Sequence, residues 1–212
     1  MKKEDLIQKI EDEKIIVIAR GIYGEDCLRL AEALLSGGIS LMELAFEADA
    51  PENAADMLRK LSESFGASLT LGAGTITDKQ LFTLAEQAGA DMIISPEVNE
   101  ELIRETGKAG LVSIPGALTP GEVIKAQRAG ADFVKIFPAF LGGPAYFKAI
   151  KEPLKNARLL AFGGIRADNI KAYLEAGAAG AGVGAYLVNP EWIAAGEFEK
   201  ITEAARLIRE SL

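Results

Sequence analysis

RAGADFVKIF, residues 128–137, carries the pattern that decides the fold. Arg128 and Ala129 close a helix-like segment, and Gly130 follows as a left-handed cap that carries no Cβ penalty. Phe133 to Phe137 is then a short apolar run. It reads as a parallel strand covered on both faces, where apolar residues follow one another instead of alternating with polar ones. The same join recurs as SGGISLMEL (36–44), QAGADMIIS (87–95), KAGLVSI (108–114) and EAGAAGAGV (175–183). Strands are expected near 14–19, 40–45, 68–73, 91–95, 111–114, 132–137, 158–162 and 179–184, with helices between them. Asp78, Thr119 and Asp168 stand where helix N-caps belong. Thr119-Pro120 with Glu122 has the spacing of a capping box behind a proline at the first helical position. Residues 50–63 and 99–108 carry helical periodicity.

Eight βα units, with no linker or change of composition between them, predict an α/β fold: a (β/α)8 TIM barrel with a closed parallel sheet. It is expected to be a single domain over residues 1–212. The fold typically takes about 250 residues, so the loops here must be tight. The rival is an open doubly wound sheet. Gly72-Ala73-Gly74 hints at a dinucleotide loop, but Thr77 stands where the third glycine of that motif belongs.

Composition narrows the function. With 49% apolar and 25% charged residues, the chain can build a sizeable core unaided. A balance of 23 basic against 31 acidic residues, net charge −8, argues against nucleic acid and anionic membranes as partners. Histidine is absent, which excludes His-dependent triads and His metal sites. The lone Cys27 excludes an internal disulfide and Cys-paired zinc, and suits a reducing compartment. Residues 1–14, MKKEDLIQKIEDEK, form a charged amphipathic stretch without the apolar centre of a signal peptide. No apolar run approaches the roughly 18 residues of a membrane span. The expectation is a cytoplasmic protein acting on a small molecule.

In such a barrel, chemistry sits at the C-terminal ends of the strands. Lys135 lies inside Phe133-Val134-Lys135-Ile136-Phe137, where desolvation would lower its pKa and leave an amine able to attack a ketone. The structural alternative is a lysine that snorkels to the mouth or pairs with a carboxylate. Glu43, in Leu41-Met42-Glu43-Leu44, is either a general acid/base or half of an ion pair with Lys135 or Arg20. Gly163-Gly164 and Gly182-Val183-Gly184 follow the last two strands, the usual phosphate corner of this fold, or simply make tight turns. Arg20 is a candidate anion clamp and Thr75 a candidate carboxylate donor, and each has an ordinary surface or turn role as its alternative. Cys27 is expected to pack in the first helix after strand one. Tyr173, Tyr186 and Trp192 are expected to fill gaps between helices.

Taken in order, IVIARGI (16–22), GISLMEL (38–44), LGAGTITD (71–78), IISPEVNEELI (93–103), SIPGALTPGEV (113–123), FVKIFPA (133–139), GGPAYFKAIKEPL (142–154), FGGI (162–165) and AGVGAYLV (181–188) resemble a known family over nearly the whole chain. It is that of the class I aldolases for 2-keto-3-deoxy-6-phosphogluconate and 4-hydroxy-2-oxoglutarate, with the sister enzyme for 2-keto-3-deoxy-6-phosphogalactonate. The resemblance implies that Lys135 is the Schiff-base lysine and that Glu43 moves protons through a bound water. It implies that Thr75 holds the pyruvate carboxylate and that Arg20 binds an anion. Pro96, Phe137 and Ala185 fall in the implied substrate pocket, and Gly163, Gly164 and Gly184 in the phosphate cradle. It further implies a homotrimer that uses no cofactor and no metal, with pyruvate and a 2-keto acid as its small-molecule partners. Three positions depart from the pattern: Glu47 stands where many members have an arginine, Phe162 where many have a threonine, and Ala185 where a serine is usual. The galactonate branch also tends to lack that arginine and threonine. An anion site that lost one cation and two hydroxyls and gained a carboxylate would bind phosphate less well. Two other readings compete: a sugar-phosphate epimerase or isomerase on the same barrel, and a non-catalytic member of the family.

Overall fold

A computed structural model describes residues 1–212. The order is α1 (Lys3–Glu13), β1 (Ile15–Ala19), α2 (Gly24–Ser36), β2 (Leu41–Ala45), α3 (Pro51–Phe65), β3 (Thr70–Gly74), α4 (Lys79–Gln87), β4 (Met92–Ile94), α5 (Glu100–Lys108), β5 (Val112–Ile114) and β6 (Gly116–Ala117). It continues with α6 (Pro120–Ala129), β7 (Val134–Ile136), α7 (Gly143–Lys151), β8 (Leu159–Phe162), α8 (Ile170–Glu175), β9 (Gly180–Val183), α9 (Pro190–Ala194) and α10 (Phe198–Glu210). The expected strands are all present. At Gly130 the chain turns with φ 100°, and its N–H donates to the carbonyls of Ala126 and Gln127. Gly38, Gly89, Gly110 and Gly177 are left-handed at the equivalent joins.

The strands run parallel in the order β5-β4-β3-β2-β1-β9-β8-β7-β6. Pro115 alone separates β5 from β6, because it has no N–H to give to the ladder. The carbonyls on either side still serve β7. Ser113 O accepts from Phe133 N (3.2 Å), Pro115 O from Lys135 N (2.9 Å) and Ala117 O from Phe137 N (3.0 Å). β5 and β6 are therefore one interrupted position, and the nine strands close into a barrel of eight.

Asp78 caps α4, accepting from Gln80 N and Leu81 N, and Thr119 with Glu122 forms the capping box of α6. Asp168 is a correction, because it does not cap α8. Ile170 N and Asn169 N both bond to Arg166 O, so a turn occupies the expected first positions and the helix starts later. Asn169 stands before it and ties the turn together, accepting from Arg166 N and donating to Gly164 O.

Two apolar regions hold the barrel. The larger, 55 residues, lies between strands and helices, with Cys27 of α2 buried in it as expected. The smaller lies inside the sheet: Leu6, Ile10, Ile16, Leu41, Met92, Ile94, Val112, Ile114, Phe133, Leu160 and Phe162. Large and absent side chains alternate there. Met92 is in register with Gly72 and Phe162 with Gly182, and a Cβ on either glycine would collide with the partner's side chain. Leu6 and Ile10 come from α1, a segment that sequence patterning left without a place. Lys3 pairs with Asp132, Lys9 donates to Thr70 and Glu11 pairs with Arg158, all at or just before strand starts. The amphipathic N-terminal helix is thus the floor of the barrel. No helix is long and apolar enough to cross a membrane.

Candidate active site

Side chains alternate across a strand, so Leu41 and Glu43 share one face of β2, and Phe133, Lys135 and Phe137 share one face of β7. Leu41 and Phe133 belong to the interior cluster. Glu43 and Lys135 therefore point inward, one layer closer to the C-terminal mouth. Their strands stand half a turn apart in the order of eight positions.

Both are buried, at 3% and 9% exposure. Glu43 has room because residue 74 is glycine: a Cβ there would stand 2.7 Å from Glu43 Oε1. Its Oε2 has no hydrogen-bond partner within the chain. Lys135 Nζ lies 4.9 Å from the ring centre of Phe137 and 4.8 Å from that of Phe162. No ion pair joins Lys135 to Glu43, nor Glu43 to Arg20, within 4.0 Å. The purely structural pairing weighed from sequence is not formed. Burial pushes the Glu43 carboxyl up, opposed by the charges of Lys135 and Arg20. Burial pulls the Lys135 ammonium down, opposed by Glu43 and helped by Arg20. Both groups are driven towards their neutral forms, which suits proton transfer and nucleophilic attack.

Arg20, just beyond β1, reaches across β2 and donates from Nη2 to Thr75 Oγ1 at 3.2 Å. Thr75, just beyond β3, has φ 63°. A β-branched residue in the left-handed region is strained, and such strain clusters at functional sites.

These residues surround one cavity of about 740 Å³ at the mouth. Arg20, Glu43, Thr75, Pro96, Lys135, Phe137, Gly163, Gly164, Gly184 and Ala185, every site position read from the sequence, line it. Gly182 lies within β9, where its missing side chain makes room for the Phe162 ring, so that glycine serves packing as well. Arg166, Tyr186, Asn189 and Trp192 also line the cavity and were missed. The reading of inter-helix filler holds for Tyr173, buried edge-on to Phe147 at 5.2 Å, and holds in part for Tyr186 and Trp192, which pack against the outer core and also face the cavity. The available signal was position: Tyr186 follows the last strand within three residues, and Arg166 follows Gly164 within two.

Glu47 is not among the cavity-lining residues. Tyr23 OH donates to its Oε2 at 3.2 Å, so the carboxylate stands beside the cavity and not in its wall. With Lys135 and Glu43 both driven towards neutrality, the standing charges of the lining are the guanidinium groups of Arg20 and Arg166, in a chain of net charge −8. Such a cavity attracts anions against the sign of the whole molecule. No group of three or more His, Cys, Asp or Glu is arranged to hold a metal ion.

The chain is similar to proteins of known kind. It is 30% identical to the 2-dehydro-3-deoxy-6-phosphogalactonate aldolase of Escherichia coli K12, covering 82% of this chain and 83% of that one. It is 31% identical to the 2-dehydro-3-deoxy-phosphogluconate aldolase of Treponema pallidum, over 93% and 92%. Its fold matches that of the KDPG aldolase of Legionella pneumophila, whose crystal structure holds pyruvate as a covalent carbinolamine intermediate; the TM-score is 0.86 at 29% identity, over 98% of both chains. The model of the aldolase family described as KDPG and KHG aldolase matches residues 6–204, from within α1 to within α10, and takes in both the floor and every strand of the mouth. The chain belongs to the KDPG and KHG aldolase family.

Proposed function

We propose that this chain is a metal-independent class I aldolase. Its substrate is a 2-keto-3-deoxy-6-phospho sugar acid of the gluconate or galactonate type, or 4-hydroxy-2-oxoglutarate, and its products are pyruvate and an aldehyde. The aldehyde is glyceraldehyde 3-phosphate or glyoxylate. The observation that carries the reading is the pair Lys135 and Glu43: both are buried at the mouth, both are driven towards neutrality, and they are not spent on an ion pair.

The neutral amine of Lys135 attacks C2 of the keto acid and forms a carbinolamine. Glu43 supplies the proton with which the C2 hydroxyl leaves as water, and an iminium remains. The iminium draws the electron pair of the C3–C4 bond to nitrogen as the C4 hydroxyl gives up its proton to Glu43. The aldehyde departs and an enamine of pyruvate stays on Lys135. Protonation at C3 and addition of water to the iminium release pyruvate and restore the amine. Each step is reversible, so condensation of pyruvate with an aldehyde runs on the same groups. Arg20 and Thr75 hold the carboxylate next to C2. The amides of Gly163, Gly164 and Gly184 approach a phosphate that a side chain would keep away. Pro96, Phe137 and Ala185 shape the walls.

The chain is one barrel domain that works in the cytoplasm as a homotrimer. A reducing compartment accords with the single buried Cys27. Phe140 and Leu141, 62% and 64% exposed just beyond β7, offer an apolar contact for a second copy. Sedimentation equilibrium checks the trimer.

The decisive experiment is borohydride trapping with pyruvate, read by intact-mass and peptide mass spectrometry. A reduced pyruvyl adduct on Lys135 is expected. A folded protein with Lys135 unmodified overturns the reading, and turnover of a sugar phosphate without an adduct would return the chain to the isomerase alternative.

A further inference from the structure

The cavity has cations on opposite sides. The guanidinium of Arg20 sits at Thr75, beyond the third strand position, whereas Arg166 follows β8, the seventh of eight. Half a barrel therefore separates the two groups. Arg166 holds its guanidinium carbon 6.0 Å from the ring centre of Tyr186. Its one carboxylate partner is Asp168, through a long contact of 3.5 Å in which the side chains are 62% and 69% exposed. So open a pair contributes little and leaves most of the guanidinium donors uncommitted.

Asn189 lies on the same wall, in the loop after β9, the neighbour of β8. Its Oδ1 accepts from Glu191 N and Trp192 N, which fixes the orientation of the amide. Its Nδ2 donates to nothing within the chain and remains available to the cavity. The wall therefore offers a guanidinium and an amide N–H2, with no acceptor-only side chain among the lining residues there. Donors of this kind, charge-assisted and planar, match an oxyanion.

We propose that Arg166 and Asn189 are the specificity-determining residues that bind the oxyanion at the end of the substrate remote from the keto carboxylate. This rests on the aldolase reading, in which Arg20 and Thr75 occupy themselves with the near carboxylate. A terminal phosphate and a terminal carboxylate present the same chemistry to this pair.

The test uses three substrates on one 2-keto-4-hydroxy acid skeleton, ending in a phosphate, a carboxylate or a neutral hydroxyl. They are assayed with the wild-type chain, Arg166→Ala, Arg166→Lys and Asn189→Asp. Arg166→Ala is expected to raise KM for an anion-terminated substrate roughly 10- to 100-fold, with kcat within about 3-fold of wild type. The neutral substrate should be unaffected, and Arg166→Lys should recover part of the loss. Asn189→Asp keeps an oxygen acceptor for the α9 cap but sets a carboxylate in the subsite, so KM rises for the anionic substrates alone. Whichever anion loses more identifies the terminus that the subsite serves. An unchanged KM for both anionic substrates, or an equal rise for the neutral one, overturns the proposal. Pyruvate trapping on Lys135 should be equal in wild type and Arg166→Ala. Absence of trapping in the wild type would instead defeat the aldolase reading itself.

Discussion

The two ends of this barrel are built from the same strands to opposite rules. At the floor, Leu6 and Ile10 of α1 pack on Ile16, Leu41 and Phe133, and the polar groups of the helix reach outward to strand starts. At the mouth the same strands β2 and β7, one inward position further on, present Glu43 and Lys135 with little water and no mutual ion pair. The floor gains from burial. The mouth bears desolvation that the floor and the outer core must offset. One end gains stability by burial and the other loses it to two desolvated ionisable groups, so substitutions at the two ends should move different observables.

The largest effect is expected from Lys135→Ala. It removes the covalent route, and with it most of an acceleration that in enzymes generally amounts to about 10⁶-fold or more. The melting temperature should hold or rise, because a desolvated amine is gone; a large fall would make Lys135 a structural residue. Glu43→Gln comes next, slowing turnover by about 10²- to 10⁴-fold while a pyruvate adduct still forms. At the floor the signs reverse. Ile10→Ala should destabilise by about 2–5 kcal/mol in urea unfolding and leave KM of the folded enzyme unchanged. A change in KM would mean that the two ends are coupled.

Two smaller effects concern pH. Lys135 is held below the usual lysine value of 10.5 mainly by burial, so borohydride trapping should reach half its maximal rate below that pH. An ionised Glu43 raises the Lys135 value, so Glu43→Gln should move that midpoint further down. Glu43 itself is raised above its unfolded value of 4.5, so the folded state holds its proton more tightly than the unfolded one. Wild-type stability should therefore fall as pH rises from 4.5 through the raised value. Glu43→Gln should lack that fall, which unfolding at about pH 5 and about pH 8 would compare. The smallest effect belongs to Cys27, whose thiol burial pushes up to about 12. Iodoacetamide should leave it unlabelled at neutral pH until the barrel unfolds.

Much of the fold was legible because it is local. A glycine after most of the helices, with a continuous apolar run behind it, marks a βα unit without reference to any distant residue, and counting such units leads to a barrel. The site was legible to the same depth. Lys135 and Glu43 stand out as charges inside apolar runs, and Thr75, Pro96 and the glycine pair occupy the first positions beyond their strands. Arg166 and Tyr186 stand close enough to a strand end for position to mark them, whereas Asn189 caps α9 and Trp192 lies within it, where distance from a strand end no longer marks a residue as facing the mouth. The aromatics Tyr186 and Trp192 read equally well as helix packing. Asp168 failed as a cap because backbone bonds from Asn169 and Ile170 to Arg166 delay the helix, a detail that no cap propensity contains.

The sequence by itself determined which charges sit inside apolar runs, roughly where eight strands lie, and which glycines at the helix-to-strand joins turn left-handed, since each depends on neighbours a few positions away. Only the tertiary structure decided that β5 and β6 close on β7 around Pro115, that α1 plugs the floor and that Tyr23 donates to Glu47. It likewise set the Phe162 ring against Gly182 and opposed Arg20 to Arg166 across the mouth. Each of these joins residues far apart in the chain, and pairing at that range is set by the closure and register of the whole sheet, not by any local periodicity.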